Sequence, residues 1–338
     1  MLREACLKLL SLLGGLKGRV IYALRTTEQG NWIYFLLRRG LGTRAVADYE
    51  FPNLISLELA SACNLNCYHC PTHSREINAG KRKLGMMSWD LFCRAMDEID
   101  QYGKRRIYLH KDGEPLLNPH LPEMLSRLKR WQDHYVYLST NGTLLDGEAA
   151  QRIVEAGINH VNVSIGASSD DMYKRIRGGD IETVKANVMG LLSLAKSNNG
   201  KPRVSVQIIR LDQYEMEREI KEFARFWERQ GVEVWVWDEL TWGLKQPLKM
   251  PSYRYPCYSL WDSFNINSDG NVSACCMDWN QSLLIGNMEH SSIRSIWKGE
   301  RLRSYRKDHV DNNYSRMNLC RQCNYWHWQP VMSRYRLG

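Results

Sequence analysis

Residues 63–70 read CNLNCYHC and directly follow an apolar stretch, residues 55–60, that has the length and composition of a buried strand. The three cysteines, Cys63, Cys67 and Cys70, are spaced C-x3-C-x2-C. Three thiolates from one loop can bind three irons of a [4Fe–4S] cube and leave the fourth iron without a protein ligand. The spacing therefore predicts an iron–sulfur cluster with one open corner.

A structural zinc site is the alternative interpretation of this loop. Zinc in a structural site takes four protein ligands, so His69 or His73 would have to complete the set. The loop follows the first strand of a series in which strands and helices alternate, and active sites of such folds are built at the carboxyl ends of the strands. The position favours the cluster over zinc.

From residue 55 onward, short apolar runs alternate with helical stretches, which is typical of a mostly parallel sheet. The predicted strands are residues 55–60, 106–110, 135–140, 160–165, 204–210 and 232–237. The predicted helices are residues 88–102, 119–131, 146–156, 169–196 and 214–230. We expect an α/β fold, a partial (β/α)6 TIM-like barrel, because six such units are too few to close an eight-stranded barrel.

The alternation stops after Trp242. Residues 263–267 and 271–274 predict a hairpin closed on Asp269-Gly270, and one helix is expected near residues 292–305. The predicted domains are an N-terminal helical segment, a partial barrel and a small cluster-binding hairpin/helix extension, at residues 1–50, 51–245 and 246–338.

The extension carries a second group of cysteines, Cys257, Cys275, Cys320 and Cys323. The predicted hairpin turns the chain so that Cys275 returns toward Cys257, and a C-x2-C pair completes four thiolates. Four thiolates saturate a second [4Fe–4S] cluster, although they also suit zinc.

The net charge of +9 lies at the ends of the chain. Residues 1–50 carry +4, residues 51–290 carry −2 and residues 291–338 carry +7. The basic total therefore says little about a substrate, and we expect no nucleic-acid partner because the basic tail lacks regular aromatic interleaving. The ten cysteines, about 3% of the chain, are far too few for a disulfide scaffold.

The C-x3-C-x2-C loop after the first strand, with Tyr68 before its last cysteine, resembles the radical S-adenosylmethionine (SAM) superfamily. The resemblance implies that the open iron binds the amino and carboxylate groups of SAM. It also implies that one electron from the cluster cleaves SAM to a 5′-deoxyadenosyl radical, which takes a hydrogen atom from the substrate. Tyr68 is a cofactor-binding residue on this resemblance.

Two further segments resemble the superfamily's SAM-binding motifs. Residues 111–115, KDGEP, resemble a Gly-Gly-Glu motif in which Asp112 replaces the first glycine, while Gly113 and Glu114 remain as cofactor contacts. Residues 139–142, STNG, resemble a segment beside the SAM ribose. Its cofactor contacts are Ser139 and Asn141.

Two more segments complete the resemblance in the core. Residues 163–167, VSIGA, resemble a Ser-Ile-Asp-Gly pattern that lacks its aspartate here, with Ser164 as a cofactor contact and a weaker case for Gly166. Arg177 occupies the position of an arginine near the SAM carboxylate. The planar fork of a guanidinium suits a carboxylate.

The extension resembles the SPASM/twitch domains that follow many radical SAM cores, including its segments IGNM at 285–288 and SIW at 295–297. The resemblance covers roughly residues 52–325 and implies one auxiliary [4Fe–4S] cluster held by the four thiolates named above. Such a cluster transfers electrons or supports the fold. Cys276, next to Cys275, remains open as the actual ligand, a small buried residue or a hydrogen-atom donor to a substrate radical. Cys6 and Cys93 are expected to be structural.

The resemblance implies a radical SAM oxidoreductase or epimerase. Relatives act on peptides and on sugars or aminocyclitols, and the first fifty residues are too few for a leader-recognition domain, so we expect a carbohydrate-like or other small molecule. A peptide-modifying maturase is the alternative, and a non-catalytic iron–sulfur or zinc scaffold is an alternative of another class. Oxidation, epimerisation and rearrangement all remain open.

A cluster of rings and carboxylates at the end of the sixth strand suits a sugar face: Trp235, Trp237, Asp238, Glu239 and Trp242. Alternatively, the two tryptophans of the strand simply pack against one side of it.

The remaining expectations concern partners and location. The chemistry needs an external electron donor such as flavodoxin or ferredoxin. The apolar run in residues 1–24 is too short to span a membrane, although a peripheral contact through it is possible, and we expect a cytoplasmic protein.

Overall fold

The computed structural model describes residues 50–74, 82–130, 133–212, 214–244, 254, 256–257 and 259–328. Its first six strands are β1 Leu54–Leu57, β2 Arg106–Tyr108, β3 Tyr135–Thr140, β4 His160–Ser164, β5 Arg203–Arg210 and β6 Glu233–Asp238. All six run parallel in the order β6-β5-β4-β3-β2-β1. β6 and β1 are not paired, so the sheet is an open, partial barrel, which confirms the predicted fold class.

Helices of the barrel follow its strands in the alternation that the sequence predicts. They are α1 Trp89–Asp100, α2 Leu121–Lys129, α3 Gly147–Glu155, α4 Asp170–Ile176, α5 Ile181–Ser197 and α6 Met216–Arg229. Ser88 begins α1 because its side chain accepts a hydrogen bond from the Leu91 amide at 3.2 Å.

The stretch 169–196, which the sequence predicts as one helical region, forms the two helices α4 and α5. Arg177 ends α4, and Gly178 follows with φ +81°, a left-handed conformation that favours glycine. Asp180 then begins α5 by accepting the Glu182 and Thr183 amides. The prediction of one continuous stretch was wrong because Gly178-Gly179 interrupts the helix.

Alternation along the strands separates two environments. Outward side chains pack under the helices and are fully or almost fully buried, among them Ile55, Ile107, Leu138, Val161, Val206 and Ile208. Inward side chains are mostly polar or aromatic and line the interior, among them Ser56, Tyr108, Tyr137, His160, Gln207 and Trp235. Because side chains alternate along a strand, the apolar core lies on one face of the sheet and the side chains that line the interior lie on the other.

The extension continues the sheet of the barrel. Its strands are β7 Ser263–Ile266, β8 Asn271–Ser273 and β9 Leu284–Asn287, and the order β1-β7-β8-β9 completes a nine-stranded sheet within the described residues. β7 runs parallel to β1, whereas β7-β8 is the predicted antiparallel hairpin. The sequence did not predict β9 or the pairing of the hairpin with β1.

The helices of the extension are α7 Ser259–Asp262, α8 Ile293–Trp297, α9 Glu300–Val310, α10 Asn318–Gln322 and α11 Tyr325–Trp328. The single helix predicted near 292–305 is two, with Gly299 between α8 and α9. The predicted N-terminal segment, apart from residue 50, and the boundary at 245/246 lie outside the described residues. Among the helices that the structure describes, none is long and apolar enough to cross a membrane.

Candidate active site and cluster sites

A cavity of about 1000 Å³ fills the interior of the partial barrel. Its wall combines the cluster loop, the inward faces of the strands and side chains of the extension, so that Cys67, Glu114, Arg177, Trp237 and Cys276 all face one space. The fold therefore unites most of the predicted functional segments, although they are distant in sequence.

The three cysteines of the first loop, Cys63, Cys67 and Cys70, line this cavity. Burial raises the pKa of Cys63 to about 11 and that of Cys70 to about 12. Two side-chain N–H groups point at the sulfurs: Asn141 Nδ2 lies 3.8 Å from Cys63 Sγ, and Arg177 Nη1 lies 3.4 Å from Cys67 Sγ. Such donors stabilise the thiolates that an iron–sulfur cluster requires.

Glu114 is 1% exposed and accepts three hydrogen bonds. Thr140 Oγ1 donates at 2.7 Å, the Asn141 amide at 2.6 Å and the Leu116 amide at 3.1 Å. Desolvation nevertheless raises the pKa of Glu114 to about 7. A buried carboxylate that borders the cavity is suited to an ammonium or amino group.

Gly113 allows its loop to lie against the end of β1. A Cβ atom at this position would lie 2.3 Å from the Ala60 carbonyl oxygen and 2.4 Å from that of Ala62, and the Glu114 amide donates to the Ala62 carbonyl at 2.9 Å. Only glycine permits this approach. Gly113 thus holds Glu114 at the rim of the cluster loop.

Arg177 is 5% exposed and links two of the predicted contacts. Its Nη2 donates to Ser164 Oγ at 2.6 Å, while Nη1 approaches Cys67. Its Nε has no hydrogen-bond partner within the part of the chain that the structure describes, and the side chain lines the cavity. The guanidinium thus lies at the cavity wall between the cluster loop and the end of β4.

The other predicted cofactor contacts fall in different places. Ser139 and Asn141 line the cavity. The Asn141 side chain also donates from Nδ2 to Asn64 Oδ1 of the cluster loop at 2.8 Å and so ties the two loops together. The ring of Tyr68 packs edge-on against Tyr214, with centroids 5.7 Å apart, so this side chain points at α6 and its preceding loop and is not part of the cavity wall.

A buried ion-pair network that the sequence did not predict stands beside the SAM-motif loop. Arg82 pairs with Glu58, and its Nη1 lies 2.9 Å from Asp112. Lys111 also pairs with Asp112 and donates to the Asp278 carbonyl of the extension at 3.0 Å. Asp112, which stands where the motif has a glycine, is thus neutralised by two cations. Nothing in the sequence indicates that Arg82 is one of its partners.

The floor of the cavity is a set of packed rings. Tyr137 lies 4.7 Å from Tyr108 and 6.3 Å from Trp235, and His160 lies 5.2 Å from Trp235, measured between centroids. Trp235 therefore does pack along its strand, as the alternative interpretation held, yet it also lines the cavity. Asp238 and Glu239 are held by Arg210 and by the Asp212 amide.

Three side chains that line the cavity keep buried polar atoms without partners among the described residues. These atoms are His110 Nδ1, Trp237 Nε1 and Asn265 Oδ1. Burial lowers the pKa of His110 to about 4, so its ring is neutral. The alternation along β2, in which His110 follows Tyr108 by two residues, is the signal that could have identified this histidine.

The four cysteines of the extension, Cys257, Cys275, Cys320 and Cys323, are buried and line a second, small cavity. Burial raises the pKa of Cys257 to about 12 and that of Cys323 to about 11. Backbone N–H groups donate hydrogen bonds to two of the sulfurs. The Met277 N–H donates to Cys275 Sγ at 3.4 Å, and the Tyr325 N–H donates to Cys323 Sγ at 3.3 Å.

Cys275 and Cys276 line different cavities, although their side chains hydrogen-bond each other. Cys275 lines the small cavity with the other three thiols, whereas Cys276 lines the large cavity. Tyr325 borders both cavities and hydrogen-bonds the Cys276 thiol. Cys93 is half-buried on α1, and Cys6 lies outside the described residues.

Both donor sets fit iron–sulfur clusters. Each is a group of thiols gathered around a cavity with N–H donors at the sulfurs, as described above. No three His, Cys, Asp or Glu side chains of the described ranges are grouped closely enough to hold a single metal ion. In a cubane, each iron takes its own thiolate, so the ligands stand apart.

The chain matches the model of the radical SAM superfamily over residues 57–227 and that of an iron–sulfur cluster-binding domain, SPASM, over residues 257–324. The first match covers half of the chain, and the chain belongs to the radical SAM superfamily. More particularly, it is a radical SAM enzyme with a C-terminal SPASM extension, whose cofactors are SAM and [4Fe–4S] clusters, including an auxiliary one.

A probable GTP 3′,8-cyclase of Methanococcus maripaludis is 37% identical over 133 residues, which are 39% of this chain and 43% of that protein. The chain thus spans less than half the length of this relative. BtrN in complex with AdoMet and 2-DOIA has a TM-score of 0.54 at 20% identity, over 80% of this chain and 92% of that one. Streptococcus suis SuiB bound to precursor peptide SuiA has a TM-score of 0.58 at 12% identity, over 86% and 74%. The matches to these two solved structures show a shared fold.

Proposed function

We propose that this enzyme abstracts a hydrogen atom from a C–H bond of a carbohydrate-like or other small polar molecule and that Cys276 returns hydrogen to the same carbon, giving epimerisation. The observation that carries the proposal is the division of the two adjacent cysteines, Cys276 at the large cavity and Cys275 at the small one. A thiol at the substrate cavity is a hydrogen source, whereas a cluster ligand is not.

The residues that would hold the cofactors follow from the two donor sets. Cys63, Cys67 and Cys70 would hold the cluster that leaves one iron open. When bound there, the cluster and SAM supply the radical that takes hydrogen from the substrate. The second set, Cys257, Cys275, Cys320 and Cys323, would hold the auxiliary cluster.

This chain's own polar groups would orient SAM. Glu114 accepts from its amino group and Arg177 pairs with its carboxylate through the guanidinium fork. Ser139, Asn141 and Ser164 border the same part of the cavity. Tyr68 has its ring outside the cavity, so any contact it makes with SAM would come from its backbone.

The residues that line the cavity favour a hydroxylated, ring-shaped substrate. Two of its lining residues keep a buried polar atom without a partner among the described residues, the N–H of Trp237 and the side-chain oxygen of Asn265, and the wall also includes a set of packed aromatic rings. Hydroxyl groups donate and accept, and the faces of sugar rings stack on aromatic ones. A modified peptide is the alternative, since the shared fold includes a peptide-bound protein.

The hydrogen return balances as follows. The S–H bond of Cys276 breaks, a C–H bond forms on the substrate carbon from the opposite face, and a thiyl radical remains. One electron and one proton from an external reductant such as reduced flavodoxin or ferredoxin restore the thiol. Tyr325, which hydrogen-bonds the sulfur, holds the thiol toward the cavity.

Oxidation is the second candidate because the small cavity lies directly behind Tyr325. In that case the substrate radical loses one electron to the auxiliary cluster and a proton to solvent, and the product is two hydrogens lighter.

Turnover in D₂O with a panel of sugars and aminocyclitols separates the outcomes. Epimerisation incorporates one solvent deuterium into the product, and Cys276→Ala abolishes this while 5′-deoxyadenosine still forms. A product two mass units lighter, unaffected by Cys276→Ala, contradicts the thiol as donor and supports oxidation.

A further inference from the structure

We infer that His309 is a hydrogen-bond donor to the auxiliary cluster and sets its reduction potential. The inference rests on the ligand set proposed above for the small cavity. It concerns a residue that neither cysteine motif includes.

His309 is buried on α9, with 2% of its surface exposed, and lines the small cavity with the four cysteines. Its Nδ1 accepts a hydrogen bond from the backbone N–H of Cys257 at 3.2 Å. The ring packs edge-on against Tyr314, with centroids 5.0 Å apart. These contacts fix the imidazole at the cavity wall.

The hydrogen bond at Nδ1 determines where the ring carries its proton. An N–H group can only donate, so the Nδ1 atom facing Cys257 must offer a lone pair. The ring proton of His309 is then on Nε2. This nitrogen is buried and has no partner among the residues that the structure describes.

A buried N–H without a partner is unfavourable, so a group that accepts from it is expected in the cavity. The sulfurs of a cluster are the acceptors that the four thiols would bring there. Hydrogen bonds to cluster sulfurs are one of the factors that set the potential, because they stabilise the more negative, reduced state.

Backbone donors already serve Cys257, Cys275 and Cys323, from Ser259, Met277 and Tyr325. His309 adds a side-chain donor to this set. Unlike the backbone donors, it can be removed by substitution without altering the main chain.

The test isolates the auxiliary cluster in the full chain carrying Cys63→Ala, Cys67→Ala and Cys70→Ala, followed by redox titration monitored by electron paramagnetic resonance (EPR). His309→Asn keeps an oxygen near the Nδ1 position for the Cys257 amide and removes the Nε2 donor. We expect a more negative midpoint potential. His309→Gln places an N–H near the Nε2 position and should recover much of the shift.

His290→Asn, at a side chain that is 76% exposed, is the matched control and should leave the potential unchanged. An unchanged potential in His309→Asn with a full complement of iron overturns the inference. A parent that binds about four irons per chain supports the ligand set. A parent without iron contradicts the ligand set itself, so the two failures are distinguishable.

A second measurement needs no substitution at residue 309. Pulsed EPR of the parent labelled with ¹⁵N-histidine should show a weak nitrogen coupling, as expected through a hydrogen bond. Absence of any histidine coupling, or the strong coupling of a nitrogen bound directly to iron, contradicts a donor role.

Discussion

The guanidinium of Arg177 passes directly over the α-carbon of Gly166. A Cβ atom on residue 166 would lie 2.8 Å from Arg177 Nε and 2.9 Å from Nη2. Residue 166 also has φ +85°, so both its backbone and its surroundings require glycine. The segment that lacks the family's aspartate thus makes room for the arginine that lies between Cys67 and Ser164.

Gly166→Ala should weaken SAM binding by about tenfold or more, because the new methyl group displaces the Arg177 guanidinium, whose proposed charge-assisted contact with the SAM carboxylate would be worth about 1.5–3 kcal/mol. Equilibrium dialysis of the reconstituted protein measures the affinity. Gly178→Ala is the matched control: it has a similar φ of +81°, but nothing lies within 4 Å of its Cβ position. Equal loss of affinity in both variants would show that backbone strain alone is responsible.

Asp112→Gly restores the glycine of the family motif, yet we expect it to destabilise this protein. The substitution leaves Lys111 without its carboxylate and removes one of the two from Arg82; their side chains are 0% and 4% exposed. Removing one partner of a buried ion pair costs about 3–5 kcal/mol. Denaturant unfolding should show this loss.

The control is Asp170→Asn, which breaks an exposed pair with Lys174 on α4. It should change the free energy of unfolding by about 0.5 kcal/mol or less. If Asp112→Gly is as mild as this control, the two ion pairs of Asp112 contribute nothing measurable to stability.

Much of the fold was predictable because each barrel strand has its own apolar run. The predicted range of β3 agrees with the observed Tyr135–Thr140, and the other five barrel strands lie within three residues of their predicted ends. The pairing of β7 with β1 was not predictable in this way, because hydrogen bonds between strands 209 residues apart leave no local pattern.

The candidate site, like the fold, was predictable only where the sequence carries a local pattern. The cysteine spacings predicted the two donor sets and the Gly113-Glu114 pair predicted a cofactor contact, and the structure gathers the cysteines of each set around one cavity. The contacts of Arg82 and His309 were missed because their partners are brought together only by the fold. Glu58 lies 24 residues before Arg82, and Cys257 lies 52 residues before His309.

SAM binding should depend on pH through Glu114. Burial raises the pKa of this carboxyl to about 7 in the absence of the cofactor. We expect the ionised form to accept from the SAM amino group, so affinity should fall as the pH drops below about 7, by up to about tenfold per pH unit. Glu114→Gln should bind weakly and lose this component. Equal pH profiles for both proteins between pH 5.5 and 8 would contradict the role of the carboxylate.

The division of labour between Cys275 and Cys276 is tested most directly by iron content after anaerobic reconstitution. We expect about eight irons per chain for the wild type and for Cys276→Ala, and about four for Cys275→Ala. All three proteins should still bind SAM, since the core thiols are untouched. If Cys276→Ala loses four irons while Cys275→Ala keeps all eight, Cys276 is the cluster ligand, and the proposal of a free thiol at the substrate cavity is wrong.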